Sequence, residues 1–259
     1  MMNAEILPRP GGAAIAYHRL AGKCPGVVFL GGFGSDMAGT KALALEAFCK
    51  ARGQAYLRFD YQGHGQSSGA FDAGTIGSWT QDTLAVLDER TEGPQLLVGS
   101  SMGGWIMLLA ACARMERVAG LLGIAAAPDF TEDLIAAKLG AVEKATLARD
   151  GVLEIVNPYG DAPTRITQKL VEDGRTHLLL RGSIPLHCPV RLLHGMADAD
   201  VPWETSLRLL RALQSQDATA IFVADGDHRL STPADLQRLE RTLENLLALT
   251  GGKGGEQGL

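Results

Sequence analysis

The sequence predicts an α/β protein with a mostly parallel, doubly wound sheet of eight strands. Short apolar runs alternate along the chain with longer helical patterns, and glycine-rich turns follow several of the apolar runs. The chain has 259 residues, 46% of them hydrophobic and 20% charged, which is enough for one large buried core. Together these observations predict a single compact α/β core.

Eight apolar runs have the length and composition of buried strands. They lie at residues 4–8, 13–19, 26–31, 54–60, 95–100, 118–124, 189–195 and 218–224. The first two are expected to form an antiparallel edge of the sheet. Helical patterns lie between the later strands, at residues 38–52, 76–91, 102–114, 203–214 and 232–249. Parallel neighbours need such crossover helices, so this order predicts that most of the sheet is parallel.

The alternation of strands and helices stops between residues 130 and 187. Two helical fragments at 131–139 and 141–149 and a short strand-like piece at 152–156 follow one another there. We therefore predict a small cap inserted after the sixth strand of the sheet. The predicted divisions are the first part of the core at 1–129, the cap at 130–187, the second part of the core at 188–250 and a flexible, glycine-rich tail at 251–259.

The sequence Gly99-Ser100-Ser101-Met102-Gly103 lies between the fifth strand and the helix that follows it. A G-x-S-x-G pattern at such a junction is typical of a nucleophile elbow, in which a strained turn lifts the serine hydroxyl above the sheet. The flanking glycines let the strand and the helix approach closely. The pattern therefore predicts that Ser101 is a covalent nucleophile.

A serine nucleophile needs a general base and an acid that orients this base. In proteins with this elbow the three groups follow in the chain order Ser, Asp or Glu, His. Asp198 lies just after the seventh predicted strand and His228 just after the eighth. Because catalytic residues of open α/β sheets gather at the carboxyl ends of the strands, we expect Ser101, Asp198 and His228 to converge there.

Other residues compete for the roles of acid and base. Asp200 is one rival acid, although its position before a Val-Pro pair and a helix fits helix capping better. Asp225 and Asp227 are weaker rivals. Among the other histidines, His64 and His194 lie in glycine-flanked turns, and we interpret both as structural or substrate-facing residues.

The negative charge that develops on a carbonyl oxygen during acyl transfer needs its own hydrogen-bond donors. The backbone N–H of Met102, directly after the predicted nucleophile, is one expected donor. Phe33 is the expected second donor, because it lies in the glycine-rich sequence Gly31-Gly32-Phe33-Gly34 after the third strand. This loop fits neither a P-loop nor a dinucleotide-binding fingerprint.

Several stretches are distinctive beyond the catalytic pattern. They are Gly39-Thr40-Lys41-Ala42-Leu43-Ala44, Arg58-Phe59-Asp60-Tyr61, Leu97 to Trp105, Arg191-Leu192-Leu193-His194-Gly195-Met196, Val201-Pro202-Trp203 and Asp227-His228-Arg229. In these stretches the chain resembles α/β-hydrolases, and within them the subgroup of mammalian mitochondrial palmitoyl-protein thioesterase and acyl-glucuronide esterase with its bacterial relatives. The resemblance implies the α/β-hydrolase fold and a serine hydrolase that cuts esters or thioesters of bulky or fatty acyl groups, acylated proteins included, with Ser101, Asp198 and His228 as its triad.

The residues expected to contact the substrate are Gly32, His64, Trp105, Leu134 and Leu153. Leu134 and Leu153 belong to the predicted cap, in which Leu139 and Ile155 are expected to extend the same acyl-binding groove. The alternative interpretation is that these apolar side chains only attach the cap to the core.

Composition bears on partners and cofactors. The net charge of −5 and the lack of a basic stripe argue against binding to nucleic acid. We expect four free thiols, no metal site and no cofactor, because the cysteines show no metal-ligand spacing and the predicted chemistry needs none. No apolar run is long enough to span a membrane, and residues 1–8 lack the pattern of a leader, so a cytoplasmic protein is expected.

Two alternatives to an esterase or thioesterase remain open from the sequence. The first is another reaction on the same fold, such as that of a peptidase, a lactonase or a C–C hydrolase. The second is a non-catalytic scaffold that binds ligands, although such proteins tend to lose a member of the triad. No feature of the sequence specifies an oligomeric state.

Overall fold

The computed structural model describes residues 4–156, 160 and 163–251. Ten strands are present in these ranges. They are β1 Glu5–Pro8, β2 Ala14–Leu20, β3 Lys23–Leu30, β4 Gln54–Phe59, β5 Gln95–Ser100, β6 Val118–Ile124, β7 Val152–Ile155, β8 Thr164–Thr167, β9 Val190–Gly195 and β10 Ala218–Val223. Eight of them form one sheet in the order β1-β2-β4-β3-β5-β6-β9-β10, and β7 and β8 pair separately as a small antiparallel sheet.

The large sheet is parallel except at one edge, where β2 runs antiparallel to both β1 and β4. The neighbours from β4 to β10 are all parallel, so their carboxyl ends lie at one edge. The predicted eight-stranded, mostly parallel sheet with an antiparallel edge is therefore confirmed.

Helices cover both faces of the sheet. They are α1 Thr40–Arg52, α2 Ile76–Arg90, α3 Met102–Ala113, α4 Ala141–Asp150, α5 Gln168–Gly174, α6 Glu204–Ala212 and α7 Pro233–Gly251. Successive residues of a strand point to opposite faces, so Leu96 and Val98 pack in a core with α1 and α7, while Leu97 packs in a core with α2, α3 and α6. This alternation explains why the central strands are apolar throughout.

The described residues between β6 and β9 add no strand to the large sheet. The described part of the 130–187 segment contains a π-helix at Thr131–Ala136, then α4, the β7–β8 pair and α5. Its small core consists of Ala136, Leu147, Leu153, Ile166 and Val171. The sequence pattern predicts a longer helical fragment at 131–139, and it gives no sign of β8 and α5, which are only four and seven residues long.

Helix α7 ends at Gly251, and the remaining residues of the predicted flexible tail, 252–259, lie outside the described residues. Within the described ranges, the helices are all too short or too polar to traverse a lipid bilayer.

Candidate active site

Ser101 occupies a one-residue turn between β5 and α3. Its backbone has φ 54° and ψ −120°, a conformation that L-residues rarely adopt. The turn requires glycine on either side of the serine, because a Cβ on Gly99 would collide with the backbone of Gly103, and a Cβ on Gly103 would collide with the carbonyl of Leu30. The strain and the close approach are those expected of a nucleophile elbow.

The structure brings the three predicted catalytic residues together. His228 Nε2 lies 3.1 Å from Ser101 Oγ, and His228 Nδ1 lies 2.8 Å from Asp198 Oδ2. They follow β5, β9 and β10, whose carboxyl ends share one edge of the sheet. We call Ser101, His228 and Asp198 the Ser–His–Asp group. Its geometry allows the imidazole to accept the serine proton while the carboxylate holds the other ring nitrogen.

Asp198 has the environment of a fixed, ionised carboxylate. Its side chain is fully buried, and Oδ1 accepts hydrogen bonds from the N–H groups of Asp200 and Val201, at 2.9 and 2.8 Å. Burial acts to raise the pKa of Asp198, but hydrogen bonds from His194, His228 and the backbone outweigh it and hold the pKa below its usual range. The carboxylate therefore stays charged beside His228 at neutral pH.

The glycine-rich loop after β3 lies against the elbow. A Cβ added to Gly32 would lie 3.5 Å from Ser101 Cβ, so the backbone of this loop passes directly beside the serine. Phe33 and Met102, whose N–H groups are the expected oxyanion donors, line the same cavity as Ser101. The turn is closed by a hydrogen bond from Ser35 N–H to the carbonyl of Gly32, at 3.1 Å.

A cavity of about 810 Å³ opens over Ser101 and His228. One part of its lining, which we call the apolar wall, consists of Phe33, Phe71, Phe130, Leu134, Ile135 and Ile155. The ring of Phe33 makes edge contacts with Phe71 and Phe130, with centroids 4.9 and 5.9 Å apart. Such a surface suits an extended apolar group better than a polar one.

Gly32 and Leu134 line the cavity as predicted, but His64 does not. His64 is only 4% exposed and packs among the rings of Tyr61, Phe71 and Trp79. Burial lowers the pKa of His64 to about 4, so the ring is neutral and Nε2 accepts a hydrogen bond from Gly34 N–H at 3.3 Å. The predicted substrate contact is therefore replaced by support of the loop beside Ser101.

Trp105 and Leu153 are also absent from the cavity lining. Trp105 is fully buried, stacks edge-on against Phe130 and donates its indole N–H to the carbonyl of His177 at 3.1 Å. Leu153 packs into the small core of the 130–187 segment. Leu153 is thus a packing residue of the segment, and Trp105 joins α3 to the segment instead of contacting the cavity.

Several cavity residues were missed in the sequence analysis. Phe130 lies just beyond β6, and the rule that placed the other residues at the carboxyl edge would have found it. Lys41 at the start of α1 gave no such signal. Its Nζ donates to the carbonyl of Arg229 at 2.5 Å, one residue beyond His228. Burial and the charge of Arg229 lower the pKa of Lys41 to about 8.

The described residues include one group of side chains with the spacing of metal ligands. Asp198, Asp200 and His228 have potential ligand atoms within 4.8 Å of one another. Two of these three residues belong to the Ser–His–Asp group, and Asp198 Oδ2 already bonds to the ring nitrogen of His228. The cluster therefore coincides with the site described above.

Comparison with known proteins places this geometry in a family. The model of the family described as "Alpha/beta hydrolase family" matches residues 27–251. The chain belongs to the alpha/beta hydrolase family. The palmitoyl-protein thioesterase ABHD10, mitochondrial, of Bos taurus is 43% identical to this alpha/beta hydrolase over 244 residues, which cover 94% of the chain and 79% of the relative. The predicted family and the prediction of an enzyme are confirmed.

Solved structures agree with this membership. Alpha/beta hydrolase domain-containing protein 10 from mouse has a TM-score of 0.88 and 41% identity, and the match covers 95% of this alpha/beta hydrolase and 99% of the mouse chain. A putative hydrolase from Agrobacterium vitis S4 has a TM-score of 0.90 and 42% identity, covering 94% and 97% of the two chains.

The prediction of a cytoplasmic protein is wrong. Its basis was composition and the residues at the start of the chain, whereas the relative from Bos taurus and its equivalents in other mammals are named as mitochondrial proteins. Net charge and core composition affect solubility and folding. They do not specify a compartment, which is determined by a targeting signal.

Proposed function

We propose that this alpha/beta hydrolase cleaves thioesters or esters of a fatty or similarly bulky acyl group, acylated proteins included, by acyl transfer through Ser101. The observation that carries the proposal is the hydrogen-bonded Ser–His–Asp group beneath a cavity of about 810 Å³ that includes the apolar wall. The identity of over 40% to proteins named palmitoyl-protein thioesterase supports the same substrate class.

In the first step, His228 Nε2 takes the hydroxyl proton of Ser101 as Oγ attacks the acyl carbon. The N–H groups of Met102 and Phe33 stabilise the oxyanion, and each such donor typically contributes about a hundred- to a thousandfold to turnover. His228 then gives its proton to the leaving thiol or alcohol, which departs as the acyl-enzyme forms. Asp198 keeps the imidazole in the tautomer that this exchange needs.

In the second step, His228 removes a proton from water, which attacks the acyl-enzyme. The tetrahedral intermediate collapses, Ser101 regains its proton from His228, and the carboxylic acid is released. Both steps use the same base, the same acid and the same oxyanion donors.

The apolar wall is the proposed binding surface for the acyl chain. Each buried methylene of a ligand contributes about 0.8 kcal/mol of apolar transfer free energy, so long chains gain more from the wall than short ones. Phe130, Leu134, Ile135 and Ile155 of the wall come from the 130–187 segment. We propose that this segment is a cap that selects the acyl group, while the leaving group lies toward the polar part of the cavity.

The test is a series of thioesters and oxygen esters with matched acyl chain lengths, measured with wild type, Ser101→Ala and Ser100→Ala. Ser100→Ala is the matched control, because it removes a hydroxyl one residue away on β5. We expect Ser101→Ala to lose about four to six orders of magnitude in kcat and Ser100→Ala to stay active.

A preference for long-chain thioesters would support the proposal in full, and a preference for short or aromatic oxygen esters would overturn its acyl class. Turnover that survives in Ser101→Ala would overturn the mechanism. Cleavage of amides, lactones or C–C bonds in place of esters would favour another reaction on this fold.

A further inference from the structure

Behind Asp198, on the side away from the cavity, lies a second histidine that the proposed mechanism does not use. His194 is on β9 and is fully buried. Its Nε2 lies 3.0 Å from the carbonyl of Val201 and 3.2 Å from Asp198 Oδ2. Its Nδ1 lies 2.7 Å from Ser206 Oγ on α6.

These partners assign the ring tautomer of His194. Both neighbours of Nε2 are oxygen acceptors, so this nitrogen must carry a proton and donate it. In the neutral ring Nδ1 is then an acceptor, and it receives the hydroxyl proton of Ser206. The two acceptors at Nε2 fix this tautomer, and the hydroxyl of Ser206 holds the ring at its other nitrogen.

Two serine–histidine pairs thus converge on one carboxylate oxygen. Ser101 and His228 approach Asp198 Oδ2 from the cavity, and Ser206 and His194 approach it from the buried side. We propose that His194, held by Ser206, is a positioning residue that fixes Asp198 for its bond to His228. This inference rests on the proposed function, because it assigns His194 a part in the same reaction.

The two carboxylate oxygens of Asp198 are held by different groups. Oδ1 is held by the N–H groups of Asp200 and Val201, which leaves Oδ2 to be oriented by the two histidines. With donors on both oxygens, rotation about the last side-chain bond breaks at least one hydrogen bond to a charged group. The orientation of His228, and hence the reach of Nε2 to Ser101 Oγ, follows from that of Oδ2.

The first test compares His194→Met with His194→Gln. Methionine fills a similar volume without a donor, whereas the glutamine amide can donate to Asp198 from nearly the same point. We expect His194→Met to lower kcat about ten- to a hundredfold with KM within about twofold, since a lost hydrogen bond to a buried charge has this size. We expect His194→Gln to recover most of the loss.

Rates are expressed per active site, titrated with a fluorophosphonate that labels the nucleophilic serine, and melting temperatures are measured alongside. A residue that only joined β9 to α6 would lower stability and the titrated fraction but leave kcat per site unchanged. That result, or equal losses in His194→Met and His194→Gln, would overturn the inference.

The second test addresses Ser206. Ser206→Ala removes the hydroxyl that is hydrogen-bonded to Nδ1 of His194, while Thr205→Val removes a buried hydroxyl from the neighbouring residue of α6. We expect Ser206→Ala to lower kcat about three- to tenfold, the size of a neutral hydrogen bond, and Thr205→Val to keep the wild-type value. Equal kcat values for the two variants would contradict the role of Ser206. Failure of the proposed function is recognised separately, since ester turnover would then persist in Ser101→Ala.

Discussion

The carboxyl edge of the sheet and the 130–187 segment form opposite sides of one cavity, but they are held in different ways. At the sheet edge, Ser101, Asp198 and His228 are fixed by hydrogen bonds of 2.8 to 3.1 Å between single atoms. The segment meets the core through apolar packing, in which Phe130, Leu134 and Leu170 join the main core, and through scattered polar contacts. Its polar ties include Asp129, which accepts the N–H groups of Leu179 and Leu180, and Trp105, which donates to the carbonyl of His177.

This difference assigns the chemical steps to the sheet edge and the selection of the acyl chain to the 130–187 segment. Proton transfer needs atoms placed within a few tenths of an ångström, and directional hydrogen bonds on strand ends supply that. Binding of an acyl chain needs apolar area and shape, which packed side chains supply without strict direction. Variants at the sheet edge are therefore expected to change kcat, and variants in the apolar wall to change the preference for chain length.

The largest expected effect is at the sheet edge. Asp198→Asn keeps the size of the side chain but replaces the carboxylate beside His228 Nδ1 with an amide. The amide no longer holds the imidazole of His228 in the tautomer that accepts the serine proton. We expect kcat to fall about 10⁴-fold, as in other Ser–His–Asp enzymes. Asp225→Asn is the matched control, because Asp225 is an exposed acid in the loop that carries His228. Comparable losses in the two variants would show that Asp198 has no special part.

The second prediction concerns support of the sheet edge by His64. Unfolded, its imidazole takes up a proton near pH 6.5, but in the folded protein the pKa is about 4. Protonation therefore favours the unfolded chain as the pH falls from about 6.5 to 4. Above that window the neutral ring costs no unfolding free energy, because it is unprotonated in both states. His64→Phe removes the group. Over this window we expect wild type to lose about 3 kcal/mol more unfolding free energy than the variant, as measured in urea.

Parallel pH dependence in wild type and His64→Phe would contradict the neutral, buried state of this ring. Below pH 4 the difference between the two proteins is expected to be constant, because His64 is then protonated in both the folded and unfolded states.

The third prediction divides two leucines of the 130–187 segment. Leu134 lines the cavity and Leu153 is packed inside the segment. We expect Leu134→Ala to reduce the kcat/KM ratio of long to short acyl chains about tenfold, through lost apolar contact. Leu153→Ala is expected to lower the unfolding free energy by about 2 kcal/mol and to leave that ratio unchanged. The reverse pattern would contradict the proposed acyl surface.

The smallest expected effect is at a surface ion pair between the two regions. Arg165 of β8 contacts Asp72 of the core at 2.8 Å, and both side chains are about two-fifths exposed. Such pairs contribute little to stability, because solvent screens them and ordering long side chains costs entropy. We expect Asp72→Asn to leave the urea midpoint of unfolding close to that of wild type, with any difference lost at high salt. A marked drop in the midpoint would mean that polar contacts hold the segment.

The sequence was informative where local pattern determines structure. Buried parallel strands are continuous apolar runs, and the elbow at Ser101 has a short signature, so the sheet and the convergence of Ser101, Asp198 and His228 could be predicted. The short strand β8 and the seven-residue helix α5 could not, because elements of that length have little periodicity of their own.

Long-range contacts set the second limit. Trp105 bonds to a carbonyl 72 residues away, and His64 bonds to the N–H of Gly34, 30 residues before it. Composition and spacing give no sign of either partner. For this reason the sequence predicts which residues lie near the site. It does not predict whether the side chain of such a residue faces the cavity or the protein interior.

One property of the sheet bears on how this protein can be altered. Strands β6 and β9 are hydrogen-bonded neighbours, so the chain leaves the sheet and returns to it at adjacent positions. The stretch between them can grow, shrink or be exchanged without moving any strand of the large sheet. Grafting the corresponding stretch from a relative onto this sheet is therefore expected to change which substrates bind, while the residues at the sheet edge keep their positions.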